Sequence, residues 1–66
     1  MGNYWTRDIT NANNETILVT PDMKTYLTEI SVLDSVGSPA STITLSKQEL
    51  VKLVNTLDEL IRLLPD

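Results

Sequence analysis

The sequence contains neither cysteine nor histidine. Without cysteine, no disulfide can brace a small fold, and the thiolate ligands of zinc and iron–sulfur sites are missing. Without histidine, the chain lacks the commonest general base and the commonest metal ligand. We therefore expect no metal site and no cofactor.

Positive charge is also scarce, with five basic residues against nine acidic ones and a formal net charge of −4. The basic residues are scattered along the chain: Arg7, Lys24, Lys47, Lys52 and Arg62. A surface that follows a phosphate backbone needs grouped cations. The composition therefore argues against nucleic acid as a partner.

Long hydrophobic runs are absent, since no stretch approaches the roughly 18–20 apolar residues that span a bilayer. The beginning of the chain lacks the basic and then apolar layout of a signal peptide. The sequence predicts a cytoplasmic protein with no membrane contact. The carboxylates follow no catalytic motif, and no histidine or buried lysine is there to activate a serine or threonine. We expect no enzymatic activity.

What the sequence does contain is two kinds of apolar periodicity. Alternating, β-branched stretches predict strands at about 3–10, 16–20, 24–33 and 42–45, separated by turn-forming residues. A period of 3.6 then predicts a helix over about 47–64, ended by Pro65. The expected fold class is α+β, a single domain with a small antiparallel sheet of three to four strands and one C-terminal amphipathic helix.

The predicted helix begins with a capping box, in which Ser46 and Glu49 bond each other's backbone N–H groups. Its apolar stripe is roughly 120° wide by the 3.6-residue period. The stripe comprises Leu50, Leu53, Val54, Leu57, Leu60, Ile61 and Leu64. Because the strand that holds Ile43 and Leu45 leads directly into this cap, we expect the joint to fold the stripe back over the sheet.

Two further apolar residues, Val51 and Leu63, widen the apolar arc to roughly 240°. One small sheet cannot cover an arc that wide, so the helix is expected to bind another helix or a second copy. The alternative is that both residues are single exposed apolar side chains, which are ordinary. The predicted interface consists of Val51, Leu53, Leu57, Leu60, Ile61 and Leu63.

Aromatic residues are few: Tyr4, Trp5 and Tyr26, with no phenylalanine. Adjacent residues of a strand point to opposite faces, so Tyr4 and Trp5 cannot share one core. One of them should be exposed or at an interface. The aromatics could form a stacking platform for bases or a contact for a protein partner. In so poor an inventory they are also needed as core, and Tyr26 is expected to lie there, beside Ile30 and Val32.

The stretches "TYLTEISVL" and "TITLSKQELVKLVNTLDELI" resemble the positive-cofactor type of transcriptional coactivator, in which a short strand ending in leucine-serine or leucine-threonine precedes the final helix. The resemblance covers about two thirds of the chain. It implies single-stranded-DNA binding and dimerisation through the helix, here through Leu53, Leu57, Leu60 and Ile61.

A chain of 66 residues builds a core worth only about 3–5 kcal/mol, so it usually needs an additional source of stability. With disulfides and metals excluded, association of identical chains remains. We expect a non-enzymatic interaction or regulatory protein that forms a homodimer or higher oligomer and binds a protein partner, of the small acidic kind frequent among bacteriophage and mobile-element products. The alternative is a single-stranded nucleic-acid binder of the coactivator type.

Overall fold

The computed structural model describes residues 5–66, which form a four-stranded antiparallel sheet followed by one helix. The α+β prediction is confirmed. The strands lie side by side in chain order, each joined to the next by a short turn. The elements are β1 (Arg7–Thr10), β2 (Thr16–Asp22), β3 (Leu27–Leu33), β4 (Pro39–Leu45) and α1 (Lys47–Leu63).

The turn between β1 and β2 is made by the asparagine-rich stretch 11–14, "NANN", as the sequence predicts. The Asn11 side-chain oxygen accepts hydrogen bonds from the backbone N–H groups of Asn13 and Glu15. Asn14 adopts a φ of 65°, a left-handed conformation that asparagine tolerates better than most residues. Side-chain bonding to the backbone therefore fixes this turn.

The turn between β2 and β3 overturns the expectation for Tyr26. The Asp22 carboxylate accepts the backbone N–H of Lys24, the main reason that the pKa of this carboxyl lies below its ordinary value. Tyr26 donates its backbone N–H to the Asp22 carbonyl and has a φ of 58°. It thus belongs to the turn rather than to β3, and its side chain is 76% exposed. The prediction that Tyr26 fills the core is wrong.

The turn between β3 and β4 is shorter than the sequence indicates. The Asp34 carboxylate accepts the backbone N–H groups of Val36 and Ser38, and Gly37 supplies a φ of 86°. β4 then begins at Pro39, three residues before the predicted start. Proline is tolerated there because it is the first residue of an edge strand, where a ladder N–H is not required.

The strand register separates the two faces of the sheet. One cross-strand row joins Ile9, Ile17 and Val32, and a second joins Val19, Ile30 and Ile43. We call these six residues the apolar sheet face. Each row ends in a polar residue on an edge strand, Ser41 in the first and Arg7 in the second. The opposite face carries hydroxyl pairs, with side-chain hydrogen bonds between Thr10 and Thr16 and between Ser31 and Thr42.

The joint between β4 and α1 is a single residue, Ser46. Its hydroxyl accepts the Glu49 backbone N–H at 3.3 Å, and the Glu49 carboxylate accepts the Ser46 backbone N–H at 2.8 Å. This second bond is the main cause that lowers the pKa of the Glu49 carboxyl below its ordinary value. The predicted capping box is confirmed.

Replacing Ser46 by alanine is expected to lower the free energy of unfolding by about 0.5–2 kcal/mol, because the first turn loses its side-chain acceptor. The measurement is a urea denaturation curve. Ser46→Asp serves as the control, since aspartate also caps helices well and should keep most of the wild-type midpoint. A Ser46→Ala midpoint equal to that of the wild type would show that the cap contributes nothing.

The helix does not fold back over the sheet, contrary to expectation. Only its first two turns contribute half-buried stripe residues, Leu50 and Leu53. Beyond them the stripe is exposed: Val54, Leu57, Leu60, Ile61 and Leu64. The prediction failed because β4 leads into α1 through the single residue Ser46, and the backbone angles at this joint carry α1 away from the sheet.

The resulting shape is extended for so short a chain. Its radius of gyration is 13.3 Å, whereas a compact chain of this length would have a value of about 11 Å. Within residues 5–66 no apolar side chain is buried, and the one buried residue is Ser31. The fold therefore has a well-paired sheet and a well-capped helix but no enclosed hydrophobic core.

Candidate interaction surface

The apolar sheet face is the first of two uncovered apolar surfaces. Four of its six members are classed as exposed, including Ile17, 43% exposed on an inner strand, and Ile43, 57% exposed on the edge strand β4. Val19 and Ile30 are half-buried. Ile9, Ile17 and Val32 line a shallow depression at the end of the sheet remote from the helix. Water reaches a face that in a small α+β domain is normally covered by a helix.

The helix stripe, the seven residues from Leu50 to Leu64 defined above, is the second surface. Of the predicted interface residues, Leu53 lies in the part of the helix near the sheet, whereas Leu57, Leu60 and Ile61 project beyond it and are exposed. Val51 and Leu63 lie outside the stripe and are also exposed. The structure thus leaves all the predicted positions except Leu53 largely accessible.

The two surfaces meet at one corner of the molecule. Leu50 of the stripe lines a shallow depression together with Val19 and Pro21. Pro21 is on the same strand as Val19 and, two residues on, on the same side of the sheet. The stripe and the apolar sheet face therefore start from the same point, Leu50, and diverge from there. We call the space between the two surfaces the open angle.

Trp5 lies at this point too, lining the depression with Leu50, and is 60% exposed. Tyr4, the aromatic residue next to Trp5 in the sequence, lies outside the described residues. Trp5 is thus exposed, as one of the two aromatics was expected to be, and its contact with a partner stays a prediction.

The total accessible surface of the chain is larger than that of a compact protein of the same mass. The chain exposes 5804 Å², whereas a compact monomer of 7.4 kDa exposes about 4,200 Å² by the surface–mass relation. The excess is roughly 1,600 Å² for the whole chain by that relation, and it accompanies the lack of any buried apolar side chain among residues 5–66.

Charged groups do not form a site of their own in the part of the chain that the structure describes. No group of three or more metal-ligating side chains is present among residues 5–66. Arg62 and Asp58 form an exposed ion pair at 3.1 Å, one helical turn apart, and such pairs contribute a few tenths of a kcal/mol. No described helix is long and apolar enough to cross a membrane.

Sequence reasoning found the helix stripe but missed the sheet face as an interaction surface. The signal was available, because all four strand isoleucines occupy positions that one register brings to the same side: Ile9, Ile17, Ile30 and Ile43. It was overlooked because the helix was assumed to cover that side.

Comparisons with known proteins give no relative for this chain: no protein-family model, no curated protein and no solved structure matches it.

Proposed function

We propose that the chain is a small, non-enzymatic interaction protein that works as a homo-oligomer assembled through its C-terminal helix. The observation that carries the proposal is the lack of any buried apolar side chain among residues 5–66, beside two apolar surfaces that stay open to water. Hydrophobic burial is the dominant favourable term in folding. A chain that hides so little of its apolar surface needs a partner surface to complete its core.

The helix is the natural element for assembly because its stripe continues well past the sheet. Leu57, Leu60 and Ile61 would lie in the centre of such a contact, with Leu53 at its inner end. Val51 and Leu63 would lie at its margins. The polar residues of the opposite helix face stay in water in this arrangement: Gln48, Lys52, Asn55 and Glu59.

The test is the mass of the folded protein in solution. Light scattering at high micromolar concentration should give the mass of a dimer or a higher oligomer, with circular dichroism showing both helix and sheet. A monomer mass for a protein that is folded under these conditions would end the proposal.

A protein partner beyond the chain itself is the second element of the proposal, with Trp5 as the contact residue. Exposed tryptophans are enriched among the residues that dominate protein interfaces. Affinity purification of the full chain from its native host, compared with Trp5→Ala, tests this element. A partner retained equally by both proteins would remove Trp5 from the contact.

Single-stranded DNA is expected not to bind tighter than the roughly 10⁻⁴–10⁻⁶ M of non-specific association at physiological salt. Affinity for single strands comes from grouped cations and from stacking on aromatic rings. Here Arg7 on β1 precedes Asp8, and Lys24 lies in a turn beside Asp22. Fluorescence anisotropy of a labelled oligothymidine measures the affinity.

The alternative function, a coactivator-type nucleic-acid binder, would be favoured by the opposite result. Sub-micromolar affinity that weakens with rising salt, and that Arg7→Glu with Lys24→Glu abolishes, would replace the expectation above.

A further inference from the structure

We propose that each helix of a dimer lies across the apolar sheet face of the other copy, so that two chains close each other's open angle. The inference rests on the proposed homo-oligomer and adds the surface on which each helix docks. Its occupant is a second copy of this chain, and the docking is reciprocal.

In this fold the helix does not cover the apolar sheet face of its own chain. One residue, Ser46, separates β4 from α1, and it also caps the helix. The stripe loses contact with the sheet after Leu53. Covering the row of Ile9, Ile17 and Val32 with the same helix would require the backbone of that one-residue joint to rotate.

The dimensions and chemistry of the two surfaces match. The exposed part of the stripe, from Val54 to Leu64, is about 15 Å long, and the two apolar rows together cross all four strands, a width of about 14 Å. The six members of the apolar sheet face carry no polar side chain, and the centre of the helix stripe carries none either. Arg7 lies at the outer end of its row on the edge strand β1, where a long side chain keeps its charged head in water. Docking one surface on the other therefore buries no unpaired charge.

The symmetry of a dimer explains why both surfaces are open in one chain. A twofold contact is self-complementary: when the helix of the first copy covers the sheet of the second, the sheet of the first copy receives the second helix. The excess exposure of roughly 1,600 Å² per chain provides, over two chains, the area that obligate dimers bury, about 2,000–5,000 Å² in total. A contact between the two helices alone would leave the apolar sheet face of each copy exposed to water.

Methyl NMR on a mixed dimer tests this arrangement directly. One protein sample carries labelled isoleucine methyl groups and the other carries labelled leucine methyl groups, so contacts between the two labels arise only between copies. All four strand isoleucines report on the apolar sheet face, and Leu57, Leu60 and Leu64 report on the stripe. We expect intermolecular contacts from Ile17 and Ile9 to these leucines.

The possible outcomes separate this inference from the proposed function. Intermolecular contacts between strand isoleucines and stripe leucines support it. A dimer whose intermolecular contacts join only stripe residues overturns it and leaves helix-mediated assembly standing. A folded monomer by light scattering overturns both.

A pair of neighbouring substitutions on β4 gives a second test. Ile43→Asn places an amide on the apolar sheet face, on a side chain too short to reach the water beyond the edge strand, whereas Thr44→Asn places it on the opposite face. Both native side chains are exposed in the single chain. Because a twofold dimer of the first variant would bury one new unpaired amide from each copy and lose two apolar contacts, we expect Ile43→Asn to raise the dissociation constant at least about 100-fold, and Thr44→Asn to change it less than about threefold.

Sedimentation velocity over a dilution series measures both constants. Equal dissociation constants for the two variants would show that the sheet face is free in the dimer, and would overturn the inference while leaving the dimer itself in place.

Discussion

Leu57→Asp is expected to abolish the folded assembly. Leu57 lies at the middle of the helix stripe and is 48% exposed in the single chain. If the chain worked alone, a carboxylate there would meet water, and the cost would be the helix-propensity difference of about 0.7 kcal/mol or less. In a dimer that buries the stripe, each copy would enclose one unpaired charge. That cost is several kcal/mol for each charge, which exceeds what a domain of this size can absorb.

The control for Leu57→Asp is Asn55→Asp. Asn55 lies on the polar face of the helix, opposite the stripe, so its new carboxylate stays in water in the dimer. Light scattering and far-UV circular dichroism of both variants give the result. Asn55→Asp should match the wild type, while Leu57→Asp should lose the oligomer mass and most of the helix signal. A Leu57→Asp protein with unchanged mass and melting temperature would contradict assembly through the stripe.

Dilution is expected to unfold the wild-type protein. The described chain encloses no apolar side chain, so the separated copy lacks the burial that offsets the conformational entropy of ordering it. Dissociation and unfolding should then be one event. Oligomer mass and circular dichroism signal should fall together over the same concentration range.

The same coupling makes the melting temperature depend on concentration. A 100-fold rise in concentration adds about 2.7 kcal/mol to the stability of a dimer by mass action. Spread over two chains of this size, this corresponds to roughly 5–10 °C in melting temperature. The measurement is thermal melting at concentrations about 100-fold apart, with calorimetry at the higher one. A melting temperature that does not move with concentration would mean that the single chain is stable by itself.

Local signals in the sequence predicted the elements well. The asparagine turn after β1 and the capping box at Ser46 depend on side chains bonding the backbone within four residues. Such contacts are the same whatever lies across the sheet. The fold class followed from them, because four alternating stretches and one stripe of period 3.6 leave few other arrangements.

The errors in the predicted elements arose where a turn competed with a strand pattern. Tyr26 continues the apolar alternation of β3 in the sequence. Its backbone N–H nevertheless donates to the Asp22 carbonyl, which closes the turn, and its φ is positive. In the same way, the turn at Asp34 is complete by Ser38, so β4 begins at Pro39, earlier than the turn-forming composition of this segment indicates. Each error shifts the start of a strand by three residues and leaves its other end in place.

The sequence by itself determined which residues are apolar on each element and on which side of it they lie, because side-chain direction follows from the period of the local backbone. Only the tertiary structure decided whether the helix stripe and the apolar sheet face meet. That outcome depends on the angle at one residue, Ser46, whose extended φ of −73° and ψ of 169° carry the helix away from the sheet. No periodicity encodes such an angle, since a small rotation at a joint moves the far end of a helix of about 26 Å by many ångströms without changing any local contact.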